Sequence, residues 1–421
     1  MNGVNHPDSM VVPHGMDAAE APGIHILSLT TAYPHPREPG AGLFVRSRLQ
    51  ALAKRALVTV LAPVSPVQYS NARDFCLGTR GIPLRSPDQE VTVLHPRWIY
   101  APLTGALNSA FLFLQLLPRV ARLRRDFPFE VIDAQFGHPE AFAAALLAII
   151  FRVPFTVTLR GSEVLHGEHM FRRRQMAWAL RHAARVFAVS ERLNKFAVSL
   201  GAPPEHVLTI PNGVDPSLFF DRDQTECRRR HGLPLAGRII LSAGHLIELK
   251  GHHRVVRCLK TLIDRGVDAR LLIAGGAGRV ASYESVIRKE IERAGLNERV
   301  VLSGHIAPED LAELMCAADV FCLASSREGW PNVVNEAMSC GTPVVATDVG
   351  AIPEMIPSED YGFIVPANDD EALACALERA LEKRWDRAAI ASRGQSRSWA
   401  QVARDLVVQF EQILAEKQPA P

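Results

Sequence analysis

Short apolar runs alternate with stretches of helical period along most of the chain. Ile24 to Thr30 alternates apolar and polar side chains and predicts a first strand. Leu43 to Arg55 has helical period, and Leu57 to Leu61 is a second short apolar run. Phe129 to Ile132, Phe155 to Leu159, Val186 to Val189 and Val207 to Ile210 predict further strands. Helical stretches lie among them, around 102–125, 139–151, 168–184 and 191–200. Pro211-Asn-Gly-Val-Asp-Pro216 interrupts the pattern: two prolines and an Asn-Gly predict a linker or hinge. The alternation then restarts with Arg238 to Ser242, a helix from about Lys250, Arg270 to Ala274, Val300 to Ser303, Val320 to Leu323, Val344 to Ala346 and Phe363 to Val365. Short buried strands alternating with helices predict parallel sheets covered on both faces. The chain therefore reads as α/β, with two doubly wound, Rossmann-like domains in tandem.

This pattern sets the expected domains. Residues 1–22 are polar, have no hydrophobic signal core, and read as a disordered tail. Residues 23–214 form the first domain and 215–395 the second. Residues 396–421 carry an amphipathic helix at about 397–416, expected to pack back toward the first domain.

Composition changes this picture little. The chain has 421 residues, 48% apolar and 22% charged, as expected of a soluble globular protein. Its net charge is +2, but residues 1–220 hold 22 basic and 16 acidic side chains, so the first half is basic and the second acidic. The basic half is a solvated face or one that meets an anionic membrane or acceptor; the dense clustering of a nucleic-acid footprint is missing. The seven cysteines are scattered without a C-x-x-C pair, which argues for reduced, mostly buried thiols and a cytoplasmic protein. No apolar run is long enough to span a bilayer. Phe111 to Leu117, followed by Arg119, Arg122, Arg124 and Arg125, reads as an amphipathic core helix or as one lying on the inner face of the membrane.

The richest chemistry lies in Ser325-Ser-Arg-Glu-Gly-Trp-Pro-Asn-Val-Val-Asn-Glu336. An apolar strand precedes it, and Pro331-Asn332 signals a helix start. The unpaired amides near Asn332 to Val334 make an anion site. Glu328 and Glu336 beside it suit a ligand that also carries hydroxyls, which a carboxylate accepts in bidentate fashion. Phosphate plus hydroxyls suggests a sugar nucleotide. Three more loops follow predicted strands: Gly244 to Lys250-Gly251, Ala274-Gly275-Gly276-Ala-Gly278, and Ser303-Gly304-His305. Each taken alone is ordinary loop geometry, but Lys250 at a helix start suits a diphosphate.

Together these motifs resemble the family-four retaining glycosyltransferases of the GT-B fold, the glycosyl transferases group 1. The resemblance covers nearly all of the chain after residue 23. It rests on Gly244-x5-Lys250-Gly251, the Ala-Gly-Gly loop, Ser-Gly-His before Pro-Glu-Asp-Leu, and the Glu328-x7-Glu336 pair. Gly341-Thr-Pro-Val-Val-Ala-Thr-Asp-Val-Gly350, Ile352-Pro-Glu354 and Ile210-Pro-Asn-Gly-Val-Asp215 match as well. The resemblance implies that Glu336 holds the ribose of the donor. It implies that Glu328 and the backbone from Gly329 through Trp330 and Asn332 to Val333 read the donor sugar, and that Lys250 neutralises the diphosphate. Gly42, in the Gly40-Ala-Gly42 loop, would approach the diphosphate from the first domain. Gly244, Gly275, Gly276 and His305 complete the expected donor site.

The sequence departs from the family twice. His245 stands where Arg is common, and Arg160 stands where His is common in a Thr-x-His-Gly pattern. Arg160 is read either as a ligand for an anionic acceptor or the diphosphate, or as a salt-bridge partner of Glu163 or a neighbouring acid. His138, after a predicted strand, either lines the acceptor side or is structural. Asp221-Arg-Asp223 resembles a metal-binding motif of another fold but has no strand before it and reads as an exposed turn. Arg172-Arg-Arg174 reads as a solvated helix face or a patch for anionic lipid.

The expected activity is sugar transfer from a nucleotide-diphosphate sugar to a glycan or lipid-linked acceptor, retaining and metal-independent, with no cofactor. Lys250, Glu328, Arg160 and His138 are the expected catalytic residues. Two alternatives remain: a sugar-nucleotide epimerase on the same fold, or a non-catalytic binder. A nicotinamide dehydrogenase is disfavoured, because no Gly-x-Gly-x-x-Gly follows the first strand.

Overall fold

A computed structural model describes residues 23–65, 79, 81–99, 105, 107–276 and 283–417. The expected tail at 1–22, Cys76, part of the expected helix start near 102 and the Ala277-Gly278 end of the glycine loop lie outside these residues.

The first sheet comprises β1 (His25–Leu29), β2 (Leu57–Leu61), β3 (Arg85–Asp88), β4 (Val91–Leu94), β5 (Val131–Ala134), β6 (Phe155–Leu159), β7 (Arg185–Ala188) and β8 (Val207–Thr209). Its order is β3-β4-β2-β1-β5-β6-β7-β8, parallel throughout except β3 against β4. Its helices are α1 (Leu43–Ala53), α2 (Asn108–Asp126), α3 (Glu140–Phe151), α4 (Glu163–Gly167), α5 (Met170–His182) and α6 (Glu191–Ser199). β5 and β6 are buried along their whole length because helices cover both faces, although β5 carries Asp133 and β6 carries Thr156 and Thr158.

The second sheet comprises β9 (Arg238–Ala243), β10 (Ala269–Ala274), β11 (Val300–Gly304), β12 (Val320–Leu323), β13 (Val344–Thr347) and β14 (Gly362–Val365), in the order β11-β10-β9-β12-β13-β14. Around it pack α7 (Gln224–Arg230), α8 (His252–Asp264), α9 (Glu284–Arg293), α10 (Pro308–Ala317), α11 (Asn332–Ser339), α12 (Ile352–Met355), α13 (Asp370–Glu382) and α14 (Arg387–Gly394). The protein is thus α/β, with two Rossmann-like sheets.

Several details differ from the sequence reading. The β3–β4 hairpin was not expected, because β3 is a polar edge strand, Arg-Ser-Pro-Asp, without apolar alternation. The helix expected from Lys250 starts two residues later. Lys250 closes a short 3₁₀ turn, and Gly251, at φ +70°, separates that turn from α8. An alanine there would put its Cβ 2.1 Å from the Ala324 carbonyl oxygen. Asp221-Arg-Asp223 is a helix start rather than a free turn: Asp223 caps α7 by accepting from the Glu226 amide at 2.7 Å.

The chain crosses between the sheets twice. The last helix, α15 (Trp399–Lys417), lies against α1, and its Val402, Leu406, Phe410 and Ile413 join the core around β1, β2 and β7. The two crossings run side by side. Val214 pairs with Ser398, the Val214 amide donates to Arg397 at 3.0 Å, and the Trp399 amide donates back to Val214 at 3.3 Å. Gly213 is needed here, since a Cβ would sit 2.4 Å from the Trp399 nitrogen. Among the described residues no helix is long and apolar enough to cross a membrane.

Candidate active site

Both strand orders reverse at one place. In the first sheet the reversal falls between β1 and β5, and in the second between β9 and β12. A doubly wound sheet opens its ligand crevice there, beyond the carboxyl ends of the strands. Lys250 follows β9, and Glu328 follows β12. Gly42 and His138 follow β1 and β5 at the corresponding point of the other sheet.

The second-domain loops are stitched together by their backbones. The Gly244 amide donates to Ala274 at 2.9 Å, Leu246 to Gly276 at 3.0 Å, and Gly275 to Gly304 at 2.8 Å. Gly275 admits no side chain, because a Cβ would sit 1.8 Å from the Gly244 oxygen. These bonds gather Gly244, Gly275, Gly276 and the exposed His305 along one edge of the crevice. His245, beside Gly244, is exposed there too. The Ser326 amide donates to Leu249 at 2.9 Å and ties the Lys250 turn to the Glu328 loop.

That tie brings the charges together. Lys250 Nζ donates to Glu328 Oε1 at 2.7 Å, and Ser325 Oγ donates to the same oxygen at 2.7 Å. The Lys250 stem lies over Gly244, whose added Cβ would be 3.4 Å from Lys250 Cδ. Beyond this pair, α11 begins. Its Asn332 and Val333 amides have no acceptor among the described residues, whereas the Val334 amide donates to Pro331 at 3.0 Å. The expected three-amide anion site therefore has two free donors, because the first turn tightens at Pro331.

Glu336, about one turn inside α11, has no hydrogen-bond partner among the described residues. Its side chain keeps some exposure, yet its carboxyl lies among enough protein that burial pushes its pKa up to about 7. A carboxylate left unpaired at this depth is costly unless a ligand donates to it.

The first domain meets this site at the Arg160–Gly161 loop. A Cβ on Gly329 would sit 1.7 Å from the Arg160 oxygen, and one on Gly161 would sit 2.6 Å from Gly329 Cα. Trp330 packs into the cores of both domains, and its indole N–H is buried without a partner.

Arg160 is held by neutral acceptors rather than by a carboxylate. Its guanidinium is buried and donates to Gln135 O at 3.1 Å, Gln135 Oε1 at 2.6 Å and Asn212 Oδ1 at 3.4 Å. Phe44 and Phe136 flank it, at 5.2 and 5.9 Å. The salt bridge to Glu163 does not form. Glu163 instead accepts from the Gly137, Arg160 and Gly161 amides at 3.0, 3.0 and 2.7 Å, which pins the loop. Burial and the nearby Arg48 lower the Arg160 pKa well below the usual arginine value. Gln135 and Asn212 were not singled out by the sequence. Asn212 was legible only as part of a turn signal, and its partners lie 52 and 120 residues away.

His138 is buried, with Nε2 unpartnered. Its ring lies 4.9 Å from that of His166, which contacts the Arg172 guanidinium at 3.3 Å. Burial, then its cationic neighbours, depress its pKa to about 3. Beside it, Glu140 holds the end of β1: Oε1 accepts from the Thr31 amide at 2.8 Å and the Thr31 hydroxyl at 2.7 Å. Gly42 opens α1 at φ +62°, with no room for a Cβ against the Ala32 oxygen at 2.2 Å. The described cysteines are free, and Cys375 is the exposed one.

The comparisons with known proteins agree with this architecture. The "Glycosyl transferases group 1" family matches residues 223–397, and "Glycosyltransferase Family 4" matches residues 38–218. The chain belongs to the group 1 glycosyltransferases. It is 29% identical over 365 residues to TuaC of Bacillus subtilis (strain 168), named as a candidate teichuronic acid biosynthesis glycosyltransferase, covering 84% of this chain and 88% of that one. Its fold matches sucrose-phosphate synthase from Thermosynechococcus elongatus with a TM-score of 0.74 at 20% identity, over 93% and 99% of the two chains. It also matches Anabaena HepE, solved in complex with UDP-glucose, with a TM-score of 0.68 at 22% identity over 92% and 99%.

Proposed function

We propose that the protein transfers a sugar, with retention of anomeric configuration, from a nucleoside diphosphate sugar to a hydroxyl of a glycan or lipid-linked acceptor in cell-surface polysaccharide synthesis. The observation that carries this reading is the Lys250–Glu328 pair at 2.7 Å, set at the switch point beside the free amides of α11. Lys250 and the helix tip stabilise charge developing on the departing diphosphate. Glu328 and the Gly329 to Val333 backbone receive the donor sugar. Glu336 accepts from the ribose hydroxyls, which explains a carboxyl kept without a protein partner. The donor lies mainly on the second domain and the acceptor on the first.

The scheme that fits the family resemblance uses the leaving diphosphate itself as the base. His138, with a pKa of about 3, is a weak one. The C1–O bond to the diphosphate breaks as the acceptor oxygen bonds C1 on the same face. The acceptor proton passes to the leaving phosphate oxygen. His138 and Arg160 then position rather than exchange protons, and protein cations do the work a metal does elsewhere. The polysaccharide setting is supported by the likeness to TuaC, and a uridine donor by the fold shared with HepE.

The test is an assay of purified protein with a panel of nucleotide sugars and a membrane extract as acceptor. Lys250→Ala and Glu336→Ala are expected to lose transfer while melting as folded proteins. Undiminished turnover in both would defeat the assignment.

A further inference from the structure

The geometry points to a second functional surface: the cleft-side rim of the first domain docks onto an anionic lipid bilayer, so that the acceptor reaches the cleft carried on a membrane lipid. This inference rests on the proposed transferase reading for its purpose, but its evidence lies elsewhere on the molecule.

Two helices build the rim. On α2, Leu107, Phe111 and Leu114 recur at helical spacing and point outward, at 50%, 37% and 59% exposure, while Leu112, Leu116 and Val120 fill the core. Among the described residues the stripe therefore has no partner. On α5, the first two residues, Met170 and Phe171, are 56% and 60% exposed. The two helices flank α3 and both start at the carboxyl ends of the strands, where the interdomain crevice opens. Arg172 joins them: its guanidinium lies against Gly105, just before α2, where an added Cβ would meet Nη2 at 2.1 Å. Arg172 also reaches His166, which touches His138 inside the crevice. Arg172 thus links the rim to the His166–His138 contact on the expected acceptor side.

Its charge selects the occupant. Arg173 and Arg174 are exposed beside Phe171, and Arg119 and Arg122 continue the outer face of α2. Near them Glu163 is buried and engaged with backbone amides, and the exposed acids are Glu168 and, at the far end of α2, Asp126. Large apolar side chains ringed by arginines suit insertion at the headgroup boundary of a negatively charged leaflet. A soluble glycan acceptor would use neither feature. Monomer surfaces rarely leave several large apolar side chains together without a purpose.

The test uses the full chain and vesicles of phosphatidylcholine, with and without about one quarter phosphatidylglycerol, which supplies the negative surface charge. The protein is expected to float with anionic vesicles and to be released by high salt. Met170→Ser with Phe171→Ser, or Arg173→Gln with Arg174→Gln, is expected to reduce the bound fraction roughly tenfold. Both variants should keep the melting temperature and the thermal shift given by nucleotide sugar. Failure to float, or equal binding of neutral and anionic vesicles, overturns the inference. So does self-association of the native chain that these substitutions abolish, which would assign the face to a second copy. A protein that binds donor but not vesicles keeps the transferase reading and loses this surface. One that floats but binds no nucleotide sugar does the reverse.

Discussion

Asn212 Nδ2, in the crossing between the sheets, donates to Asn332 Oδ1, at the tip of α11, at 3.0 Å. Asn212 also accepts from Arg160, so a chain of polar contacts runs from Gln135, under the acceptor side, to the helix tip assigned to the diphosphate. The network fixes the two domains in one arrangement. Asn212→Ala leaves the Arg160 Nη1 donor buried and unpaired, at a cost of about 1–3 kcal/mol. The expected result is a lower melting temperature together with a reduced transfer rate. Arg160→His, which restores the residue common in the family, should keep more activity than Arg160→Ala. Calorimetry and steady-state kinetics check both.

Lys250→Ala removes the cation assigned to the leaving group and leaves Glu328 facing the crevice with Ser325 as its remaining partner. By analogy with loss of one preorganised donor, kcat should fall by about 10²–10³. Lys250→Arg should recover part of this, since its charge persists in a longer, forked geometry. A loss confined to KM would place Lys250 in ground-state binding instead. Kinetics with saturating donor separate the two.

Glu336 makes a prediction in pH. With its pKa raised to about 7 by burial, the free protein carries it protonated below that value. Ribose hydroxyls need the carboxylate as acceptor, so donor affinity should weaken as pH falls below about 7, toward tenfold per pH unit. Titration calorimetry at pH 6 and pH 8 reads this directly. The folding linkage has the opposite sense. A folded pKa above the unfolded 4.5 gives stability that is present below about 4.5 and lost as pH rises through about 7. Glu336→Gln should therefore stabilise the fold at pH 8 more than at pH 5, by an amount on the order of 1–3 kcal/mol, read as a larger rise in melting temperature at pH 8, while weakening donor binding. No pH dependence of donor affinity would remove Glu336 from the ribose.

Much of this architecture was legible because the deciding signals are local. Buried parallel strands leave short, mostly apolar runs, so β5, β6, β12 and β13 fall within a few residues of their expected places. Gly42, Gly251 and Gly275 have no room for a Cβ, and Gly244 takes a φ of +147°, so these glycines marked the crevice loops. The pairing of Lys250 with Glu328 spans 78 residues, and the sequence placed both near one ligand without fixing their contact. Arg160 was harder. Its alternatives were an anion or Glu163, but Glu163 is consumed by three amides, and the guanidinium turns to Gln135 and Asn212. A side chain with five donors takes whichever acceptors the fold brings near, and the sequence does not state that geometry. The β3 edge strand was illegible for a related reason: its polar residues gain strand character only from pairing with β4.

Gly329 supplies the sharpest test of domain approach. Its Cα hydrogens face the Arg160 carbonyl, where a methyl group would sit 1.7 Å from the oxygen. No side-chain rotation relieves that clash, because both atoms belong to backbone. Gly329→Ala must therefore push the first domain's loop and the Glu328 loop apart, although each domain's own core remains intact. Donor binding is expected to weaken as well, because the Gly329 backbone is assigned to the donor sugar and Gly42 of the first domain to the diphosphate. Transfer should fall by about 10²-fold, since a displacement near 1 Å between reacting groups has that effect. Small-angle scattering should show a larger radius of gyration for the variant. Native transfer rates with unchanged scattering would mean that this backbone contact is not part of the reactive arrangement.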